Sequence, residues 1–420
     1  MKKILKELRP FKIPLILIGV FGFLYFIVAF IVPTVQRMQA NKTPIVSIRG
    51  SNNEKYTQGM EIRKGDFHII ATHEDGKETE LYTEEFKISK KMPDQTGEIT
   101  KVHISLIEQP SITTVVNVQN EREKVTEISC GNPEIDAVKA VLYSNGELRF
   151  EGNGDVLQYD KGSFPWQNIS EQKITAVTFE STVAPVSMDY WFQSLSDLTY
   201  VGPLPESVES IVGMCSGCTT LEEAPEWEQC TRLLDISSAY EDCTSMKKIP
   251  AIPSSVRNAS YMCRGCIEIQ NAPDMRNAKN LLNTTGMYEN CKKMTTTTSA
   301  PAVEIMDSMY ASCINLKKMP EIPDSTKSMS RTFENNLSMV EVTSIPKGVT
   351  DVSSCFDNCP KISGSLVVDA NPTVYGGFLV NTCNATSLDL TGSSKLLNEL
   401  ALTHTNYNIT VNGEKPVEPK

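Results

Sequence analysis

A cysteine recurs through the second half of this 420-residue chain at a nearly fixed interval. A fixed interval of this length dictates a stack of like units before any single residue suggests chemistry. Aligning "YEDCTSMKKIP", "MCRGCIEIQNAP", "YENCKKM" and "YASCINLKKMP" places Cys243, Cys266, Cys291 and Cys313 in one column. The column extends to Leu195, Cys218, Asn336, Cys359 and Cys383, with gaps of 22 to 25 residues. Three positions earlier stand Phe192, Cys215, Tyr240, Cys263, Tyr288, Tyr310, Phe333, Phe356 and Val380. Three positions later stand Leu198, Leu221, Met246, Ile269, Met294, Leu316, Met339 and Ile362, and then Thr386, which breaks the pattern. Aromatic, thiol and aliphatic side chains at three-residue steps make the inward face of a tight coil, and that face is buried only when the next coil stacks on it. We number the coils one to nine, from Leu195 to Cys383.

This periodicity settles how the two Cys-x-x-Cys pairs, "MCSGC" and "MCRGC", should be read. Alone they suggest a four-cysteine zinc site. They lie two coils apart, however, which is about 10 Å at the spacing of paired strands, too far for thiolates that must each approach one ion to about 2.3 Å. A redox pair would need a helix N-terminus beside a βαβ unit, which the repeat does not supply. Cys218, Cys243, Cys266, Cys291, Cys313, Cys359 and Cys383 are therefore expected to form a structural core ladder of free thiols, since cysteine buries as a small hydrophobe. Cys130 and Cys230 stand off the column and are free to pair or react. Within a coil, Val256, Ala259, Met262 and Cys263 are spaced like one face of a short helix, and "MKKIP" is strand-length and ends at a proline. Each unit is expected to run helix, turn, short strand, loop.

The units resemble those of BspA-like leucine-rich repeat surface proteins, whose aromatic-x-x-Cys-x-x-Leu core appears here as "YEDCTSM" and "YASCINL". The resemblance covers residues 177–410, and the tail from "ISGSLVVDANP" to "LLNELA" is similar to the closing segment of such proteins. Cys215 and Cys263 in place of an aromatic, Asn336 in the cysteine column, and "TTTTSAP" at Thr295 to Pro301 depart from the pattern. The resemblance implies a non-enzymatic protein of the bacterial cell surface that recognises a partner.

The N-terminal residues carry a separate signal. Ile13 to Val32 holds 20 residues without a charge, about 30 Å as a helix, which matches a bilayer core. Lys2, Lys3, Lys6, Arg9 and Lys12 precede it, so the positive-inside rule places a basic tail (1–12) in the cytoplasm, a signal-anchor helix at 13–32 and the rest of the chain outside. Residues 44–124 alternate like short strands, with Asp75-Gly76 as a hairpin turn, and "YTQGMEIRKGDFHIIATHEDGKETELYT" resembles bacterial immunoglobulin-like domains. His68, His73 and His103 fall here, dispersed as surface or edge residues rather than as a metal set. A hairpin around Asn145-Gly146 marks residues 125–176 as a cap on the solenoid at 177–410, and 411–420 is a tail. The expected class is α+β and multidomain: a transmembrane helix, an Ig-like β-sandwich, and a solenoid of short strands and short helices.

A formal net charge of −11 argues against nucleic acid, because phosphate binding needs a basic surface. The solenoid has no histidine before His404 and no nucleophile beside a base, so no catalytic residue, metal or cofactor is assigned. The function-bearing candidate is the row four and five positions after each column residue, which a short strand would expose on a concave face. It comprises Glu222, Glu223, Lys247, Lys248, Gln270, Asn271, Thr295, Thr296, Lys317, Lys318, Val340 and Glu341. Such a row suits a protein or glycan partner on a single-pass membrane protein. The alternative is an envelope scaffold acting through its membrane helix and β stalk.

Overall fold

The computed structural model describes residues 43–56, 60–94, 96–170, 172–383, 386–403 and 408–417. The basic tail and the helix expected at 13–32 lie outside these residues. Among the described residues no helix is long and apolar enough to cross a membrane. The chain divides into two compact units, meeting between Arg122 and Glu123.

The first unit is built of strands β1 (Ile45–Ser51), β2 (Lys55–Tyr56), β3 (His68–His73), β4 (Glu78–Glu80), β5 (Phe86–Ile88), β6 (Ile99–Leu106) and β7 (Thr113–Asn120). One sheet runs β1-β3-β4, the other β2-β7-β6-β5, with β2 parallel to β7. Alternation turns Val102, Ile104 and Leu106 of β6 inward against Ile48, Ile69 and Ala71 of the facing sheet, giving a sandwich with one core. Gly76, with φ near +80°, makes the β3–β4 turn. His73 corrects the expectation of a surface histidine: it is buried, and its ring nitrogens lie 2.8 Å from the Thr43 carbonyl and from Thr79 Oγ1.

The second unit opens with β8 (Lys124–Ser129), β9 (Gly131–Asn132), β10 (Val138–Tyr143), β11 (Glu147–Gly152), β12 (Asp155–Val156), β13 (Ala176–Phe179) and β14 (Tyr200–Val201). Its main sheet, ordered β8-β10-β11-β13-β14, is antiparallel up to β11 and parallel from there on. The change of sense at β11 converts a meander into a stack of coils. Beneath it, Trp166 donates its indole N–H to the Trp191 carbonyl at 2.7 Å and stands edge-on to Phe150. The far end is closed by the parallel strands β15 (Ser344–Ile345), β16 (Gly364–Val368), β17 (Leu388–Thr391) and β18 (Ile409–Val411), with a helix, α1, at Leu397–Ala401.

Between these ends the coils contain no α-helix, which corrects the expected α+β class: apart from α1 and short 3-10 turns, the described residues form strands, bridges, tight turns and loops. The reason lies in the backbone. In coils one to eight two residues, five and one before the column, have φ near +50 to +76°, as at Gly213 and Gly217, Ser238 and Asp242, Tyr261 and Gly265, Gly286 and Asn290. A left-handed residue every fourth position interrupts any right-handed helical run. Alternate N–H groups then leave the coil altogether. Ile211, Gly213, Cys215 and Gly217 donate to carbonyls of Asp235, Ser237, Ala239 and Glu241 in the next coil at 2.7–3.0 Å, while Met214, Ser216 and Cys218 donate three residues back. Backbone polar groups are thereby satisfied without a helix. Val256, Ala259, Met262 and Cys263 are all buried as their spacing required, but the face they make belongs to successive turns.

The short strands are likewise reduced, over most coils, to one-residue parallel bridges. A continuous ladder runs Ser187, Ser210, Asp235, Asn258, Asn283, Ile305, Ser328, Asp351, Val374, and a second, interrupted one links Glu223 to Lys248, Asn271 to Thr296, and Lys318 to Glu341 and Ser363.

Candidate functional site

All twelve cysteines are free and buried. In the column, the thiol does more than fill space. Cys218, Cys243, Cys266, Cys291, Cys313 and Cys359 each donate S–H to a carbonyl of the preceding coil (Phe192, Cys215, Tyr240, Cys263, Tyr288 and Phe333) at 3.0–3.2 Å. Asn336 substitutes for cysteine because its amide makes the same bond, to Tyr310 O at 2.9 Å. Cys383 is buried in the column, with Thr382 supplying the donor to Phe356 O. The off-column thiols are also held protonated at neutral pH: burial pushes both Cys130 and Cys230 up to about 11. Among the described residues no group of three or more His, Cys, Asp or Glu is arranged to hold a metal ion.

Every member of the row is solvent-exposed, and the second residue of each pair lies on the second bridge ladder. Its charges are paired between adjacent coils. Lys247 lies 2.6 Å from Glu222, Lys248 3.7 Å from Glu223, and Lys318 3.4 Å from Glu341. Thr296 donates its hydroxyl to Asn271 Oδ1 at 2.8 Å. These pairs are more than half exposed and so contribute little to stability, about 0–1 kcal/mol each. They instead leave coils two and three locally neutral. Lys317 and Gln270 make no side-chain ion pair or hydrogen bond among the described residues.

The sequence reading passed over a further buried column nine positions after the cysteine: Leu204, Trp227, Ile252, Met275, Ala300, Ile322, Ile345 and Val368. Coil five carries its smallest member, Ala300, and is also the shortest, with 22 residues from Cys291 to Cys313. Its loop, Thr297 to Pro301, is pinned to the coils on both sides. Thr298 Oγ1 donates to Pro273 O at 2.6 Å, Ser299 Oγ to Glu321 O at 3.0 Å, and Tyr310 Oη to Thr298 O at 3.4 Å. The longer loops of coils four and six stand on either side, leaving an open groove of about 860 Å³ that reaches Arg276, Asp324 and Ser344. A smaller groove of about 460 Å³ lies between Tyr200 and Glu226 at coils one and two. The signal for the larger groove was present in the sequence as "TTTTSAP", read there only as a missing proline.

The profile of the BspA type leucine rich repeat region matches residues 284–408 in six copies. Three solved structures are similar. A leucine-rich repeat protein from Bacteroides ovatus is 17% identical, over 67% of this chain and 80% of its own, with a TM-score of 0.40. One from Eubacterium ventriosum is 14% identical, over 63% and 78%, with a TM-score of 0.29. The pneumococcal vaccine antigen PcpA is 12% identical, over 70% and 100%, with a TM-score of 0.30. No curated protein gives a significant match.

Proposed function

We propose that this protein is a non-enzymatic recognition module whose repeat solenoid binds a protein partner along the exposed bridge row and the grooves beside it. The observation that carries the reading is the division of labour within a coil. Inner columns stay buried and, with few exceptions, aromatic, thiol or aliphatic from coil to coil, whereas the row changes from Glu-Glu to Lys-Lys to Gln-Asn to Thr-Thr on a repeating backbone. A regular scaffold carrying an irregular face is what stacked repeats offer to a protein ligand. The sandwich over 45–120 is taken in this proposal as an immunoglobulin-like spacer, supported by its two-sheet packing. Placement outside the cell is a further part, supported by sequence alone and tested by protease treatment of intact cells.

The experiment is photocrosslinking in the native cell. A photoreactive residue is placed in the full chain at Lys317 or Thr296 of the row, or at Lys101 of the sandwich. A protein adduct from the row and none from the sandwich supports recognition by the solenoid. Adducts from the sandwich alone would replace it with the scaffold reading.

A further inference from the structure

Resting on that reading, we infer that the groove at coil five receives a lysine or arginine side chain from an extended segment of the protein partner. Three observations converge. First, the groove is lined from Arg276 in coil four to Ser344 in coil seven. That is three coil steps of about 4.8 Å, the length of roughly four residues of extended chain. A polypeptide segment matches that reach.

Second, the charge balance is one-sided. Arg276 is already engaged, its Nε and Nη2 held by both oxygens of Asp274 at 3.0 and 2.7 Å. That contact holds the Asp274 carboxyl down at about 2, so the pair is neutral as a unit at any physiological pH. Glu321 and Asp324, on the opposite wall, are exposed and form no ion pair among the described residues. The groove therefore offers two uncompensated carboxylates and no free cation.

Third, the wall that bears those carboxylates is apolar between them, with Ile322 and Pro323 in the same four-residue run and Pro301 across from it. A lysine or arginine has this pattern in reverse: a hydrocarbon stem that covers apolar surface and a cationic head that reaches the rim. An acidic or purely apolar segment would leave either the carboxylates or the stem contacts unmet.

The test uses the full chain and fluorescein-labelled twelve-residue Gly/Ser peptides carrying two arginines, two citrullines or two glutamates, read by fluorescence anisotropy at low and high salt. The arginine peptide should bind at least fivefold more tightly than the citrulline and glutamate peptides, and high salt should weaken it. Two variants locate the site. Glu321→Gln with Asp324→Asn should remove the preference. Ala300→Ile, which changes no charge but pushes the coil-five loop outward into the groove, should weaken the arginine peptide at least threefold. Glu61→Gln with Glu108→Gln, at exposed carboxylates of the sandwich, should leave binding unchanged. Equal binding of all three peptides, an unaffected Glu321/Asp324 variant, or loss of binding in the sandwich variant would overturn the inference. Photocrosslinking from Lys317 does not depend on this preference, so the groove assignment can fail while recognition by the solenoid stands.

Discussion

The left-handed positions of the coils interlock in a way that a double-mutant cycle can measure. Tyr261 holds φ near +58° five positions before its column, and its ring lies over the equivalent residue of the next coil, Gly286, itself at φ near +59°. A Cβ placed on Gly286 would stand 2.5 Å from both Cδ1 and Cε1 of that ring. The arrangement repeats at Tyr190 and Gly213, where the distance is 2.4 Å to Cε1. Gly286→Ala then has two costs. The backbone term, an L-residue in the left-handed region, is about 1–2 kcal/mol. The steric term arises because the Tyr261 ring must swing away, costing about 0.5–1.5 kcal/mol in rotamer strain. It also leaves the Arg264 guanidinium, now 4.9 Å from the ring centre, a contact worth about 0.5–1 kcal/mol. The single substitution should destabilise by about 2–4 kcal/mol, and by only the backbone term when made on Tyr261→Ala, a coupling of about 1–2 kcal/mol. Gly364→Ala serves as a control, since Gly364 has φ near +90° with nothing within 4 Å of the added carbon. Urea unfolding of the full chain followed by tryptophan fluorescence is the assay, because Trp166, Trp191 and Trp227 all lie in the second unit. A coupling below about 0.3 kcal/mol, the limit of ordinary additivity, would refute the interlock.

Two further outcomes are expected. In the thiol ladder, Cys266→Ala removes the second donor to Tyr240 O, which keeps its 3.1 Å bond from the Cys243 N–H. A loss of about 1–2 kcal/mol follows from one hydrogen bond and one buried heavy atom. Cys266→Ser, which retains a donor, should lose less in the same urea assay; a neutral or stabilising Cys266→Ala would show that the thiol is only filler. In alkali, burial raises the thiols of Cys130 and Cys230 to about 11 and those of Cys243, Cys263 and Cys291 well above their ordinary value. Above about pH 9 the unfolded chain therefore loses protons that the folded chain keeps. Stability that is complete below pH 9 should fall as pH rises through 11, by up to about 1.4 kcal/mol per pH unit for each such thiol. Urea midpoints at pH 7, 8, 9 and 10 test the sign, and a flat profile would contradict it.

Much of the interior was legible because it repeats. Cys218 to Cys383, the aromatic column before them and the aliphatic column after them could be placed inside from their spacing alone, and the row from Glu222 to Glu341 could be placed outside. The conformation of the chain was not legible from the same spacing. Buried positions ten, seven, four and three before the column fit a helix as well as they fit successive turns, because both bring every third or fourth side chain to one side. Left-handed Ser238, Asp242, Asn290 and Ser312 decide between them. Serine, asparagine and aspartate are ordinary on a helix surface, so only the recurrence of glycine at 213, 217, 265 and 286 in the same two positions pointed to φ above zero. Pairing across coils was similarly hidden. Glu222 and Lys247 stand 25 positions apart, and they meet only because that distance is one repeat.

The same logic explains why the candidate site lies at coil five. A side chain in an inner column packs against its counterparts in the coils on either side, as Tyr288, Tyr310, Phe333 and Phe356 do with ring centres 5.4–5.7 Å apart. Any change there is felt by two neighbours. A coil that departs from the pattern must therefore either be compensated inside or show itself outside. Asn336 is compensated inside by an amide that replaces the thiol donor, and the stack of rings passes through Phe333 unbroken. Ala300 puts the smallest side chain of its column in the shortest coil, and the groove between the loops of coils four and six lies at that coil. In a stack of near-identical units, a surface distinct enough to select one partner has to come from such exceptions. The exception at coil five is the one that places unpaired carboxylates beside an apolar wall.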